Sequence, residues 1–336
     1  MKYLWIFLVL AEGMFFSAKG QNNQSYTDVL LLMGSRFEIT AVSSDKDKAQ
    51  QAIQAGITEI QRIEDLISSW DPNSQTSAIV ANAGIGPVQV DQELFNLIRR
   101  SLKISRLTHG AFDISYASMD KIWKFDGSMT DMPDSATVAA SVSKINFNNI
   151  ILDAKNRTVF LKEKGMKIGF GAIGKGYAAN KALSLLSTMG LDGALVNASG
   201  DLISWGKDAG GKEWKIGIAN PKNKEQIYSW LTISETAVVT SGNYEKFVEF
   251  KGERYSHIID PRTGYPVKGL SSVSIICPDA ELADALATSV FVLGKEKGLE
   301  LINQLNGIEC ILVTDDQKLI TSQHLQLEYQ ETNNKN

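Results

Sequence analysis

The clearest hydrophobic period in the chain is Ala49, Ile53, Ile57, Ile60, Ile63 and Ile67. Its three- and four-residue steps predict one helix with a single apolar stripe, which is core material and implies no chemistry. Ahead of it, residues 26–42 alternate enough for one or two strands, with Met33-Gly34-Ser35 at a bend. A glycine there lets backbone amides approach a ligand, and a simple β-bulge accounts for it equally well. Leu94, Leu97, Ile98, Leu102 and Ile104 predict a second helix, from Asp91 as N-cap to Gly110. Residues 126–143 read as loop and helix. Apolar runs at 193–196, 273–277 and 308–313 read as strands, and the Ala- and Leu-rich stretch around 283–293 as a helix. Helices alternating with strands early, then antiparallel-type strands over 193–276, give an α+β class.

Composition narrows this only slightly. The 336 residues admit two average domains, but no repeat, low-complexity tract or Pro/Gly-rich linker divides them. One unit over residues 21–328, followed by a polar tail at 329–336, is the expectation. A formal charge of −4 with no basic run argues against nucleic acid as a partner. Residues 1–20 have the form of a signal peptide: Lys2, an apolar run broken by Glu12, then Ala18-Lys19-Gly20 before Gln21. The run is shorter than the ~20 apolar residues of a membrane span. Export to the periplasm is expected, in soluble or membrane-associated form, with no lipobox cysteine. Cys277 and Cys310 each sit in a strand-like run, either as buried thiols or as a disulfide if those strands are neighbours. Neither has a metal-ligand or nucleophile context.

The candidate chemistry lies in three places. Of three histidines, His109 ends a helix and His324 lies in a polar region, so His257 is the best-placed imidazole for work near neutral pH. It is followed by Asp260-Pro261-Arg262-Thr263-Gly264, which read alone is an ordinary turn. Asp284 and Thr288 are four residues apart on a helix, so both oxygens share a face. Oxygen-only donors suit Mg²⁺, although a solvated helix face displays the same pattern. Gly169-x-Gly171-x-x-Gly174 matches the dinucleotide fingerprint, but Asp192 precedes the next strand where an acid should end it. The remaining reading is a glycine-rich strand-to-helix turn whose amides face phosphate oxygens.

Together these blocks carry a resemblance. Thr240-Ser241-Gly242-Asn243-Tyr244, Tyr255-Ser256-His257-Ile258-Ile259-Asp260-Pro261-Arg262-Thr263-Gly264 and Ala283-Asp284-Ala285-Leu286-Ala287-Thr288 resemble the signature blocks of the ApbE-like FAD:protein FMN transferases. Met33-Gly34-Ser35, Gly110-Ala111-Phe112-Asp113 and Lys175-Gly176-Tyr177-Ala178 extend it. The resemblance implies an α+β, T-fold-related unit with mixed or antiparallel sheets flanked by helices. It implies FAD as substrate, contacted by Met33, Trp70, Ala111, Phe112, Asp113, Gly169, Lys175, Ser256, His257 and Ile259. Trp70 would stack on the flavin, and a core-filling indole is the other reading of it. Mg²⁺ would be held by the Ala172 carbonyl, Asp284 and Thr288, with His257 as base and Asp284 as the second catalytic residue. Gly169 and Asn180 stand where the family often has Asp, and Asn197-Ala198-Ser199-Gly200-Asp201 replaces a more usual Gly-Gly-Asp.

The implied reaction moves FMN from FAD to a threonine hydroxyl of another protein and releases AMP. Lacking a Ser/Thr-Gly-Ala-Thr acceptor motif, the chain reads as the modifier. Implied acceptors are exported subunits of the Na⁺-translocating NADH:quinone reductase or Rnf-type complexes. An FAD pyrophosphatase and a flavin-binding protein without turnover are the alternatives.

Overall fold

The structure is a computed structural model and describes residues 22–220, 223–243, 247–250 and 253–329. The expected signal peptide at 1–20, Tyr244 and nearly all of the polar tail lie outside the described residues. An eight-stranded sheet runs in the order β1 (Gln24–Leu32), β2 (Ser35–Ser43), β6 (Gly193–Ala198), β7 (Asp201–Gly206), β10 (Ala237–Gly242), β13 (Leu270–Cys277), β14 (Glu309–Thr314) and β15 (Leu319–Thr321). Smaller sheets join β3 (Val88–Gln89), β5 (Thr158–Leu161) and β4 (Ile150–Asp153), and β16 (Glu328–Tyr329), β9 (Asn223–Ile233) and β8 (Trp214–Asn220). β11 (Phe247–Phe250) and β12 (Glu253–Ser256) form a separate hairpin. All these pairings are antiparallel. The predicted bend at Met33 and Gly34 is the two-residue turn between β1 and β2, with φ of 51° and 68°. Both residues are left-handed, as the twist of a tight hairpin demands.

Helices α1 (Lys46–Ile67), α5 (Gly174–Ser187) and α6 (Ala280–Asn303) cover one face of the large sheet. α1 starts where Asp45 Oδ1 accepts from the Asp47 and Lys48 amides at 3.0 and 3.2 Å. Every residue of its predicted stripe is buried. The opposite face is covered by Leu231 and Ile233 of β9, packed on Val238, Ile276 and Ile311. α3 (Gln92–Leu107) follows Asp91, whose side chain makes no cap bond to the helix and instead accepts from Gln75 Nε2. The short helices α2 (Gln75–Ala81) and α4 (Ser135–Ser141) complete the set.

The structure changes one sequence expectation and decides another. The glycine-rich stretch is not a strand-to-helix turn, because β5 ends at Leu161 and a loop leads into Gly174. The Gly169 amide donates to the Ile114 carbonyl at 2.9 Å, so this loop is tied to a neighbouring turn instead of a sheet. α6 is broken at Gly294, with φ 77° and ψ 177°. β13 and β14 are neighbours, yet Cys310 lies opposite Ile275, which leaves Cys277 on the diagonal and both thiols free and buried. Burial pushes each thiol up to about 11, so both are inert hydrophobes at neutral pH.

Candidate functional site

One cavity of about 410 Å³ gathers segments that are far apart in sequence. It is lined by Ala111, Phe112 and Asp113, by Gly169, Gly171 and Ala172, and by Lys175, Thr240 to Gly242, His257 to Ile259, Asp284 and Thr288. The volume is that of a small-molecule site.

α5 and α6 set its floor. A β-carbon on Gly176 would lie 2.1 Å from the Ala280 carbonyl and 2.8 Å from Asp284 Cβ, so only glycine allows the two helices to touch here. The contact lets the Gly176 amide donate to Asp284 Oδ2 at 3.1 Å. The α5 N-terminus was expected to face phosphate, but Asp284 takes it, and a carboxylate is favoured there by the helix dipole. Asp284 is 3 % exposed. Burial raises its pKa, while the Lys175 charge and the Gly176 and Lys175 amides oppose the rise.

Lys175 forms an ion pair with Asp201, the first residue of β7. Burial works against the ammonium, but Asp284 and Asp201 outweigh it and hold its pKa above the ordinary lysine value. Asp201 is itself pushed up to about 7, first by burial and then by the charge of Asp284. Two buried carboxylates thus share one ammonium. Asp201 was seen in the sequence only as a departure from a turn pattern. Its position at the head of a strand, directly after the left-handed Ser199 and Gly200, is visible only in the fold.

The residues fit a hard cation. Among the described residues no three His, Cys, Asp or Glu side chains form a metal cluster. The donors here are instead one buried carboxylate, the Thr288 hydroxyl and the backbone at Ala172, all lining the same cavity. The uncompensated charge of Asp201 and Asp284 against Lys175 is what a divalent ion would neutralise. Thr288 Oγ1 lies 3.3 Å from Ser241 Oγ, which ties α6 to β10.

His257 lines the same cavity. The Ser256 hydroxyl does not line the cavity; it is buried and accepts from the Ile258 amide at 3.1 Å, folding the chain around His257. Next, Asp260 receives the Arg262 guanidinium at 2.8 and 2.7 Å and the Arg262 amide at 2.9 Å. The Gly264 amide donates to the Asp260 carbonyl at 2.8 Å, and Trp123 Nε1 donates to the Gly264 carbonyl at 2.8 Å. Gly264 has φ 79°, and a β-carbon there would meet Val142 at 2.8 Å. What read as an ordinary turn is a clamped one. Phe125 meets the His257 ring edge-on, centroids 6.4 Å apart.

Asp113 lines the cavity with both oxygens engaged. Oδ1 accepts from the Ser115 amide and hydroxyl at 2.8 and 2.6 Å, and Oδ2 from the Phe147 amide at 2.9 Å. Burial raises its pKa against those bonds.

Besides Ser256, two sequence candidates lie outside the cavity lining. Met33 donates its amide to Glu64 Oε2 at 3.0 Å and packs on the core. Trp70 is 83 % exposed, with Lys121 Nζ 5.4 Å from its ring centroid, and so fills no core. Asn180 is also absent from the wall. Its amide donates to Asp279 Oδ1 and accepts from the Ala280 amide, both at 2.8 Å. Only a group that both donates and accepts closes this link, which accounts for an amide there in place of a carboxylate.

Comparison with known proteins gives a consistent picture. The model of the ApbE family matches residues 33–312. A Klebsiella pneumoniae (strain 342) FAD:protein FMN transferase is 33% identical over 310 residues, covering 92% of this chain and 95% of that one. One from Treponema pallidum (strain Nichols) is 32% identical over 315 residues, covering 89% and 87%. The crystal structure of the ApbE protein of Thermotoga maritima superposes with a TM-score of 0.79 at 30% identity, over 89% of this chain and 97% of that one.

Proposed function

Since the chain belongs to the ApbE family, we propose that it is a flavin transferase that moves FMN from FAD onto a protein. The observation that carries this reading is the convergence of Asp284, Thr288, the Ala172 backbone, Lys175 and His257 on one cavity. Asp284, Thr288 and the Ala172 carbonyl would hold Mg²⁺, which when bound neutralises diphosphate charge and favours in-line displacement. Lys175 adds a cation beside the same oxygens, and Asp201 holds it there.

His257 is the proposed general base. It takes the proton of a threonine hydroxyl on the acceptor as that oxygen bonds to the FMN phosphorus. The bond from this phosphorus to the bridging oxygen breaks, and AMP leaves with the bridging oxygen. The product is a phosphoester of FMN with the acceptor. Proposed acceptors are exported subunits of the Na⁺-translocating NADH:quinone reductase or Rnf-type complexes. Export rests on residues 1–20, and no described helix is long and apolar enough to cross a membrane.

Mass spectrometry tests the reading: protein, FAD and Mg²⁺ are incubated with and without a threonine-containing acceptor peptide. FMN mass on the peptide, with AMP released in step, is the expected result. FMN and AMP forming at the same rate without peptide indicates hydrolysis, and FAD binding with no AMP indicates a carrier; either outcome overturns the transferase.

A further inference from the structure

Tyr116 has the only phenol among the residues lining the cavity, and the chemistry above makes no use of it. Its backbone is set by the 3₁₀ turn Ile114–Ser118, where the Tyr116 amide donates to the Asp113 carbonyl at 3.0 Å. From that turn the ring reaches the glycine-rich loop ahead of α5. A β-carbon on Gly171 would stand 2.5 Å from Tyr116 Oη, and one on Gly169 would stand 3.8 Å from it and 3.1 Å from Ala117 Cβ. The phenol therefore fills the space that a side chain at Gly171 would need, whereas at Gly169 the tight neighbour is Ala117.

The hydroxyl is also oriented. Its oxygen stands against the Gly171 backbone, and a phenol can donate its own proton to a ligand from there. A phenol keeps its proton at neutral pH without any shift. The residue is 42 % exposed, which leaves the side chain open to a ligand. A neutral donor beside the carboxylate proposed to hold a cation suits an anionic oxygen bound by that cation.

We propose that Tyr116 is a specificity-determining residue that donates its hydroxyl hydrogen bond to a diphosphate oxygen of the bound dinucleotide, and that Gly171 is small in order to seat it. This rests on the flavin reading of the same cavity. The test is equilibrium FAD binding by the full chain with Mg²⁺ present, followed by flavin fluorescence. Tyr116→Phe raises the FAD Kd about tenfold, the usual weight of one hydrogen bond to a charged group. Gly171→Ala forces a methyl onto the phenol oxygen and weakens binding similarly. In the double variant the loss equals that of Tyr116→Phe alone, because the next ring atom is 3.7 Å away, an ordinary contact.

Competition by magnesium pyrophosphate against FAD, weakened by the same factor in Tyr116→Phe, identifies the acceptor oxygen as diphosphate. Unchanged FAD affinity in Tyr116→Phe, losses that add in the double variant, or unchanged pyrophosphate competition each overturn the proposal while the flavin reading stands. Wild-type protein that takes up no FAD overturns both.

Discussion

Helix α5 carries two ionic networks with opposite characters. On its cavity side Lys175 meets Asp201 and Asp284, both buried. On its outer side Tyr177 and Lys181 meet Glu93 at 2.6 and 3.2 Å, and Arg62 completes the group at 2.7 Å. Hydrogen bonding to Arg62 brings Glu93 down to about 2, while burial brings Asp201 up to about 7. The side-chain chemistry is the same, and hydration decides between the outcomes. The outer network satisfies each charge in water. The inner one keeps surplus negative charge that the fold alone does not compensate, which is the signature of a site prepared for a cation.

The largest effect expected from this contrast is that of Asp284→Ala. Metal-dependent FMN transfer should fall by at least ~10²–10³-fold. With one carboxylate left per ammonium, the metal-free variant should melt no lower than wild type at pH 8. Near-normal transfer, or a large drop in melting temperature, would break the comparison. His257→Ala should slow transfer ~10²-fold while FAD binding persists; a normal rate would reassign the base.

Asp201→Asn comes next. In the folded protein this carboxyl holds its proton up to about 7, whereas the unfolded chain releases it in the ordinary carboxylate range. Between those limits the folded state binds more protons, so metal-free stability falls as pH rises. The asparagine variant should flatten that slope, a difference on the order of a few kcal/mol across the window, read by denaturant titration. An unchanged slope would show that the cavity side is as well hydrated as the surface.

Glu93→Gln should have the smallest effect, under ~1 kcal/mol because the pair is partly exposed and screened. Its sign is opposite. The stabilisation is present above the ordinary glutamate range and is lost as pH falls toward about 2, where variant and wild type should converge. Salt should shrink the difference at neutral pH.

Much of this organisation was legible in the sequence, for physical reasons that can be named. The α1 stripe was visible because burial on one face imposes a helical period, and Asp284 and Thr288 because four-residue spacing places them together. The His257 turn was legible in its residue types but not in its anchoring, since Trp123 donates to Gly264 across a long sequence separation. Asp201 and Tyr116 gave almost no signal. Each matters through what faces it, Lys175 in one case and the Gly171 backbone in the other, and neither pairing has a local period. Asn180 was noted only as a departure from the family pattern, and its role was illegible for the same reason: its partners Asp279 and Ala280 lie at the start of another helix.

The clasp of Asp260, Arg262, Gly264 and Trp123 has a kinetic consequence. A wall tied down this way has surrendered its freedom during folding, so ligand entry carries little ordering cost from this side. Uptake of the dinucleotide should then follow a single exponential in stopped flow, and loosening the clasp with Trp123→Phe should add a slow second phase.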